Sequence, residues 1–188
     1  MAHTLLTNQQ QQMLLQIAKD SIAYGLAHGE ALPLKASDYP AELNEIRATF
    51  VTLEIAGNLR GCIGMLEAVQ PLVVDVAKNA FMAAFKDYRF SPVSEAEYPK
   101  LEIHISILSP SEPLVFASEE DLIRQLRPNV DGLIMQEGGR RGTFLPSVWE
   151  SLPEPRKFLQ QLKVKSGLPA HYWSDTLRVS RYSCEVIS

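Results

Sequence analysis

Leu101-Glu102-Ile103-His104-Ile105-Ser106-Ile107 alternates apolar and polar side chains without a break. Successive side chains on a strand project to opposite faces, so the run places its aliphatics on one face and Glu102, His104 and Ser106 on the other. A strand of an all-parallel sheet is buried on both faces and reads apolar throughout. One core face and one polar face is instead the mark of an antiparallel sheet. Upstream, Phe50-Val51-Thr52-Leu53-Glu54-Ile55 alternates in the same way, and Gly57-Asn58 supplies turn chemistry. The return strand then carries Leu59-Arg60-Gly61-Cys62-Ile63-Gly64.

Helical signals surround this strand pattern. Thr7 and Gln10 form a capping-box pair ahead of Met13, Leu14, Ile17, Ala18, Ile22 and Leu26, which predicts a first helix ending near His28-Gly29. The Pro33- and Pro40-containing stretch from Leu32 to Leu43 reads as a loop, and Pro71 opens a largely apolar second helix. Further on, Ser118 caps a short helix stopped by Pro128, and Gly138-Gly139 sits between two strand runs. Pro155 starts a helix closed by Gly167, and Thr176 to Ile187 alternates as a strand. Helices and strands mix without a regular βαβ repeat. The predicted class is α+β, a largely antiparallel sheet packed with helices.

With 188 residues, 46% of them hydrophobic, the chain can bury one sizeable core with a smaller lobe beside a larger one. Two cysteines without paired spacing form neither a disulfide framework nor a zinc motif, as expected in a reducing compartment. The polar start, Thr7-Asn8-Gln9-Gln10-Gln11-Gln12, and the lack of a long apolar run predict a cytoplasmic protein with no membrane partner. A net charge of -4 opposes bulk attraction to nucleic acid. Gly57, Gly61 and Gly64 match neither the phosphate loop nor the dinucleotide fingerprint, so no cofactor is implied. His3, His28, His104 and His171 are scattered, and no metal site is predicted.

The chemistry-bearing candidate is Cys62. Simple alternation puts Arg60 and Cys62 on one face, where a cation favours the thiolate, and Gly61 and Gly64 leave the sulfur unshielded for a ligand. The same residue types also suit a small buried hydrophobe in a crowded hairpin. His104 has polar neighbours on its face and reads either as a proton carrier or as a hydrogen-bonded sheet residue. Asp87 and Arg89 form a loop ion pair on local grounds, and Thr143 is an ordinary strand hydroxyl. Arg140 and Arg141 flank the Gly-Gly hairpin, either as a solvated turn or as a receptor for an anionic partner.

Leu59 to Gly64, Asp87-Tyr88-Arg89-Phe90-Ser91-Pro92-Val93, Gly142-Thr143-Phe144-Leu145-Pro146-Ser147-Val148-Trp149, Phe158-Leu159, Lys165-Ser166-Gly167-Leu168 and Trp173 follow one another in order. In that order they resemble the AMMECR domain, named for a human chromosomal region linked to Alport syndrome, midface hypoplasia and elliptocytosis. The resemblance is clearest from about Leu43 to Trp173 and implies a single domain over 1–188, with a cleft near the Arg-Gly-Cys motif. It implies that Asp87, Arg89 and Thr143 face that cleft with Cys62. It also implies partners: a Memo-like protein of the ring-opening dioxygenase superfamily and a radical S-adenosylmethionine protein, in a modification pathway acting on RNA or another macromolecule. Two hypotheses follow. Either Cys62 is a nucleophile, with Arg60 stabilising its thiolate and Asp87 or His104 moving protons, or the chain is a recognition module in which Cys62 is structural.

Overall fold

The computed structural model describes residues 5–188. In chain order its helices are α1 (Asn8–His28), α2 (Leu72–Phe85), α3 (Glu119–Gln125) and α4 (Pro155–Lys165). Its strands are β1 (Thr49–Ile55), β2 (Asn58–Gly64), β3 (Glu102–Leu108), β4 (Glu112–Pro113), β5 (Gly132–Glu137), β6 (Arg140–Phe144), β7 (Arg178–Tyr182) and β8 (Cys184–Ile187). The class is α+β, as expected. The chain divides into two compact units, one running to Leu108 and completed by Glu185–Ser188, the other comprising Ser109–Cys184.

The first unit is built on a four-stranded sheet in the order β2-β1-β3-β8. Val51, Leu53, Ile103, Ile105 and Ile107 form its core face and pack with Leu14, Ile17, Ala18 and Ile22 of α1 and Val73, Val76, Ala77 and Ala80 of α2. The predicted capping box closes α1. The Gln10 backbone N–H donates to Thr7 Oγ1 at 3.2 Å, and the Thr7 N–H donates to Gln10 Oε1 at 2.9 Å. At the other end Gly29 takes the left-handed conformation, φ 73°, and its N–H reaches the Gly25 carbonyl. Helix α2 is rich in alanine and lies close to the sheet. A Cβ placed on Gly61 would come within 2.1 Å of the Ala83 carbonyl oxygen. Beneath the helix, Thr49 Oγ1 donates to buried Asp75 at 2.6 Å, and the Asn79 amide donates to both, so these three buried side chains satisfy one another.

The β1–β2 turn falls one residue earlier than the Gly57-Asn58 signal suggests. Ile55 pairs with Asn58, which leaves Ala56 (φ 51°) and Gly57 (φ 76°) as the two loop residues. Positive φ at both positions matches the right-handed twist of the flanking strands, and Ala56 accepts the conformation for that reason.

The second unit is a sheet in the order β4-β7-β5-β6. Leu133, Met135 and Val179 pack with Leu122 of α3 and Phe158, Leu159 and Leu162 of α4. Trp149 stacks on Phe158 with ring centroids 3.7 Å apart and donates its indole N–H to the Asp131 carbonyl. The tail expected as one strand is two. It breaks at Ser183, whose N–H donates to Ser109 Oγ while its carbonyl accepts the Ser109 N–H. Thus β7 belongs to the second sheet and β8 to the first, and local alternation cannot signal that change of partner.

Gly61→Ala should be strongly destabilising, by at least about 1–3 kcal/mol, because backbone must move to admit the methyl group. Gly139 is the control, since a methyl group there would meet nothing within 4 Å. Its alanine variant should lie within about 0.5 kcal/mol of the parent in urea unfolding.

Candidate functional site

Register on either side of β1 determines what meets on the polar face of the first sheet. Thr52 pairs with Cys62 on one side and His104 on the other, Glu54 with Leu59 and Glu102, and Phe50 with Gly64 and Ser106. Directly opposite residues share a face, so three cross-strand rows lie side by side: Leu59–Glu54–Glu102, Cys62–Thr52–His104 and Gly64–Phe50–Ser106. Cys62 is half-buried, and its Sγ lies 3.2 Å from Thr52 Oγ1. Nothing in the sequence distinguishes Thr52, because a threonine on an alternating strand looks ordinary.

Strand β2 is an edge, and its backbone at Cys62 is closed by the Asp87-Tyr88-Arg89 loop that follows α2. The Cys62 N–H donates to Asp87 Oδ2 at 3.0 Å, and Arg89 Nη2 donates to the Cys62 carbonyl at 3.4 Å. Asp87 and Arg89 are joined by bonds of 3.0 Å from Nε and 2.7 Å from Nη2. The pair therefore acts as a one-residue substitute for a neighbouring strand, satisfying groups that an edge would leave open. The Arg89 guanidinium first, and then the backbone N–H groups of Cys62 and Arg89, hold the Asp87 carboxyl well below the usual carboxylate range against the opposing effect of burial.

Arg60 does not follow the simple alternation expected of it. Leu53 pairs with Gly61 and Glu54 with Leu59, so Arg60 occupies a bulge without a cross-strand partner. Its guanidinium binds Glu97, at 2.7 Å from Nε and 3.1 Å from Nη2, donates to the Ser91 carbonyl and lies against the Phe90 ring. Arg60 thus ties β2 to the 90–97 loop, and the cation bonded at Cys62 is Arg89.

The other expected site residues separate by role. Gly61 and Gly64 are explained by packing rather than by ligand access, since methyl groups there would strike the Ala83 carbonyl and the Phe50 ring with the Thr49 carbonyl. Asp87 accepts four hydrogen bonds as a buried anion and has no proton to relay. His104 pairs with Glu54, Nε2 to Oε2 3.4 Å, and stands two strands from Cys62, about 9–10 Å at ordinary strand spacing. Thr143 belongs to the second unit, where its hydroxyl donates to the Leu133 carbonyl and meets Tyr182 Oη at 2.9 Å. Arg140 bonds the Gly167 carbonyl. His3 lies outside the described residues.

The AMMECR1 family model matches residues 15–187, and the chain belongs to that family. It is 35% identical to a protein of Methanothermobacter thermautotrophicus, the match covering 99% of this chain and 97% of that protein. A Thermotoga maritima protein is 39% identical over 78% of this chain and 80% of its own length. The crystal structure of the uncharacterised protein PH0010 from Pyrococcus horikoshii superposes with a TM-score of 0.88 at 32% identity, covering 96% of this chain and 92% of that one.

The two carboxylates flanking β2 generate an acid response. Arg60, then the Ser94 N–H, lower the Glu97 carboxyl from 4.5 to about 2. A group whose folded-state value is lowered stabilises fully above its unfolded value, and that stabilisation is lost as protonation becomes possible in the fold. The Tm advantage of the parent over Glu97→Gln should be constant above pH 4.5, shrink below it and be nearly gone at about pH 2. Thermal melts of both proteins across this range read it directly.

Proposed function

We propose that this chain is a cytoplasmic component of a modification pathway with a Memo-like dioxygenase-superfamily protein and a radical S-adenosylmethionine protein. Its target would be RNA or another macromolecule, and its own contribution would be recognition through the surface around Cys62. The observation that carries this reading is the Asp87–Arg89 clamp on the Cys62 backbone. It uses a buried carboxylate and a half-exposed guanidinium to close one short edge segment, and it displays Tyr88, 95% exposed, beside the half-exposed Arg89 side chain. Tyrosine and arginine are both among the residue types enriched where interfaces concentrate their binding energy, and here they stand side by side on one loop.

The nucleophile reading has less support from the same geometry. The side chain in contact with Sγ is a hydroxyl, Asp87 is committed as an anion, and His104 is beyond direct reach. What favours it is the Arg89 guanidinium beside the Cys62 carbonyl.

Copurification of the tagged chain from its native host at native expression should recover one of the two partners, and Tyr88→Ala should reduce that recovery at least about tenfold while leaving the melt unchanged. Repeated recovery of the chain alone would count against the pathway. Cys62→Ser should keep the partner if recognition is the role. Labelling by iodoacetamide separates the readings further. Burial pushes the Cys184 thiol up to about 12, so Cys184 should stay unlabelled near neutral pH. Cys62 labelling that is also slow until unfolding would eliminate a nucleophile in the free protein.

A further inference from the structure

We propose that Glu54, Glu102 and His104 form a binding site for a divalent first-row transition ion of the Zn2+ class. Glu54 on β1 stands directly opposite Glu102 on β3, and like charges in that position repel each other across the ladder. Among the described residues no lysine or arginine pairs with either carboxylate, and the neighbouring titratable group is His104. The polar face has thus concentrated two anions and one imidazole on the two inner strands of its sheet, where the backbone is held on both sides.

The spacing is that of ligands sharing an ion. His104 Nε2 and Glu54 Oε2 are 3.4 Å apart, longer than an ordinary N–H···O hydrogen bond. Two ligands on a tetrahedral ion with bonds of about 2.0–2.2 Å lie about 3.3–3.6 Å from each other. The three ligand atoms all fall within 4.8 Å of one another, so small rotations of the flexible Glu102 side chain complete the set. About a third of the Glu54 and His104 side chains is exposed, which gives an ion a route in and leaves the remaining coordination positions to water. The imidazole selects for Zn2+, Co2+ or a similar ion over Mg2+ and Ca2+, which prefer oxygen ligands throughout. His104 stands opposite Thr52 in the Cys62–Thr52–His104 row, so a bound ion would sit one strand spacing from Thr52 on the same face. Glu54 and His104 are far apart in the chain, and their meeting follows from the β1–β3 register alone.

The test is titration of chelator-treated, tag-free full-length protein with Zn2+ by calorimetry and with Co2+ by visible absorption. One equivalent should bind, raise the Tm and give Co2+ a low-symmetry absorption band, and Cys62→Ser should leave all three unchanged. His104→Ala should lose at least about tenfold in affinity, the floor seen when even an outer partner of a ligand is removed. Glu102→Gln should abolish the Tm response to Zn2+ and raise the Tm of the metal-free protein, because it removes the cross-strand repulsion. Binding that survives His104→Ala and Glu102→Gln, binding that requires Cys62, or no saturable binding by a melt-competent parent protein would each overturn the site.

Discussion

The approach of helix α2 to Gly61 is the constraint on which the first unit's candidate site depends. No side chain larger than hydrogen fits between β2 and the Ala83 carbonyl, so the helix backbone runs against the strand itself. That closeness brings the residues just after α2 to the strand edge. Val93 returns to bond the Ala84 carbonyl, and Asp87, two residues past the helix, reaches the Cys62 N–H. The edge is then closed by side chains instead of another strand. What remains exposed is Tyr88 and part of Arg89, held by a buried carboxylate whose charge is already neutralised. Loss of Arg89 would leave the buried Asp87 carboxylate without its counter-charge, which is the costly direction.

The bulge at Arg60 has a second consequence. Without it, Arg60 and Cys62 would alternate regularly and share a face; with it, Leu59 and Cys62 do, and Arg60 leaves the ladder to bind Glu97. Two arginines in the same neighbourhood therefore do different work. Arg60 anchors the 90–97 loop to β2, and Arg89 secures the carbonyl of Cys62. The thiol's environment is set by a threonine across the ladder and by the bonds that Asp87 and Arg89 make to its backbone.

On the polar face, the β1–β3 pairing assembles a carboxylate–carboxylate–imidazole group that no short sequence interval contains. Its position on inner strands makes it stiff, and its partial exposure makes it reachable. Both properties arise from the register of two strands, not from any motif.

Much of the secondary structure was legible because its causes are local. The Thr7–Gln10 box, the Gly29 and Gly167 stops, Pro71 and Pro155 at helix starts and the alternation of residues 101–107 act over a few residues, so they show in the chain as written. The ordered motifs that mark the AMMECR1 family are likewise short stretches that show in the chain as written. The bulge at Arg60, the division of the tail between two sheets, the partnership of Cys62 with Asp87, Arg89 and Thr52, and the meeting of Glu54 with His104 were decided only in three dimensions. Each depends on which strand lies beside which and on how closely a helix can pack, and those choices are settled by burial of the whole core. By itself the sequence determined where the chain bends, coils and extends; the tertiary structure decided which of its polar groups meet, because hydrogen bonds and ion pairs act at ångström range between residues that are distant along the chain.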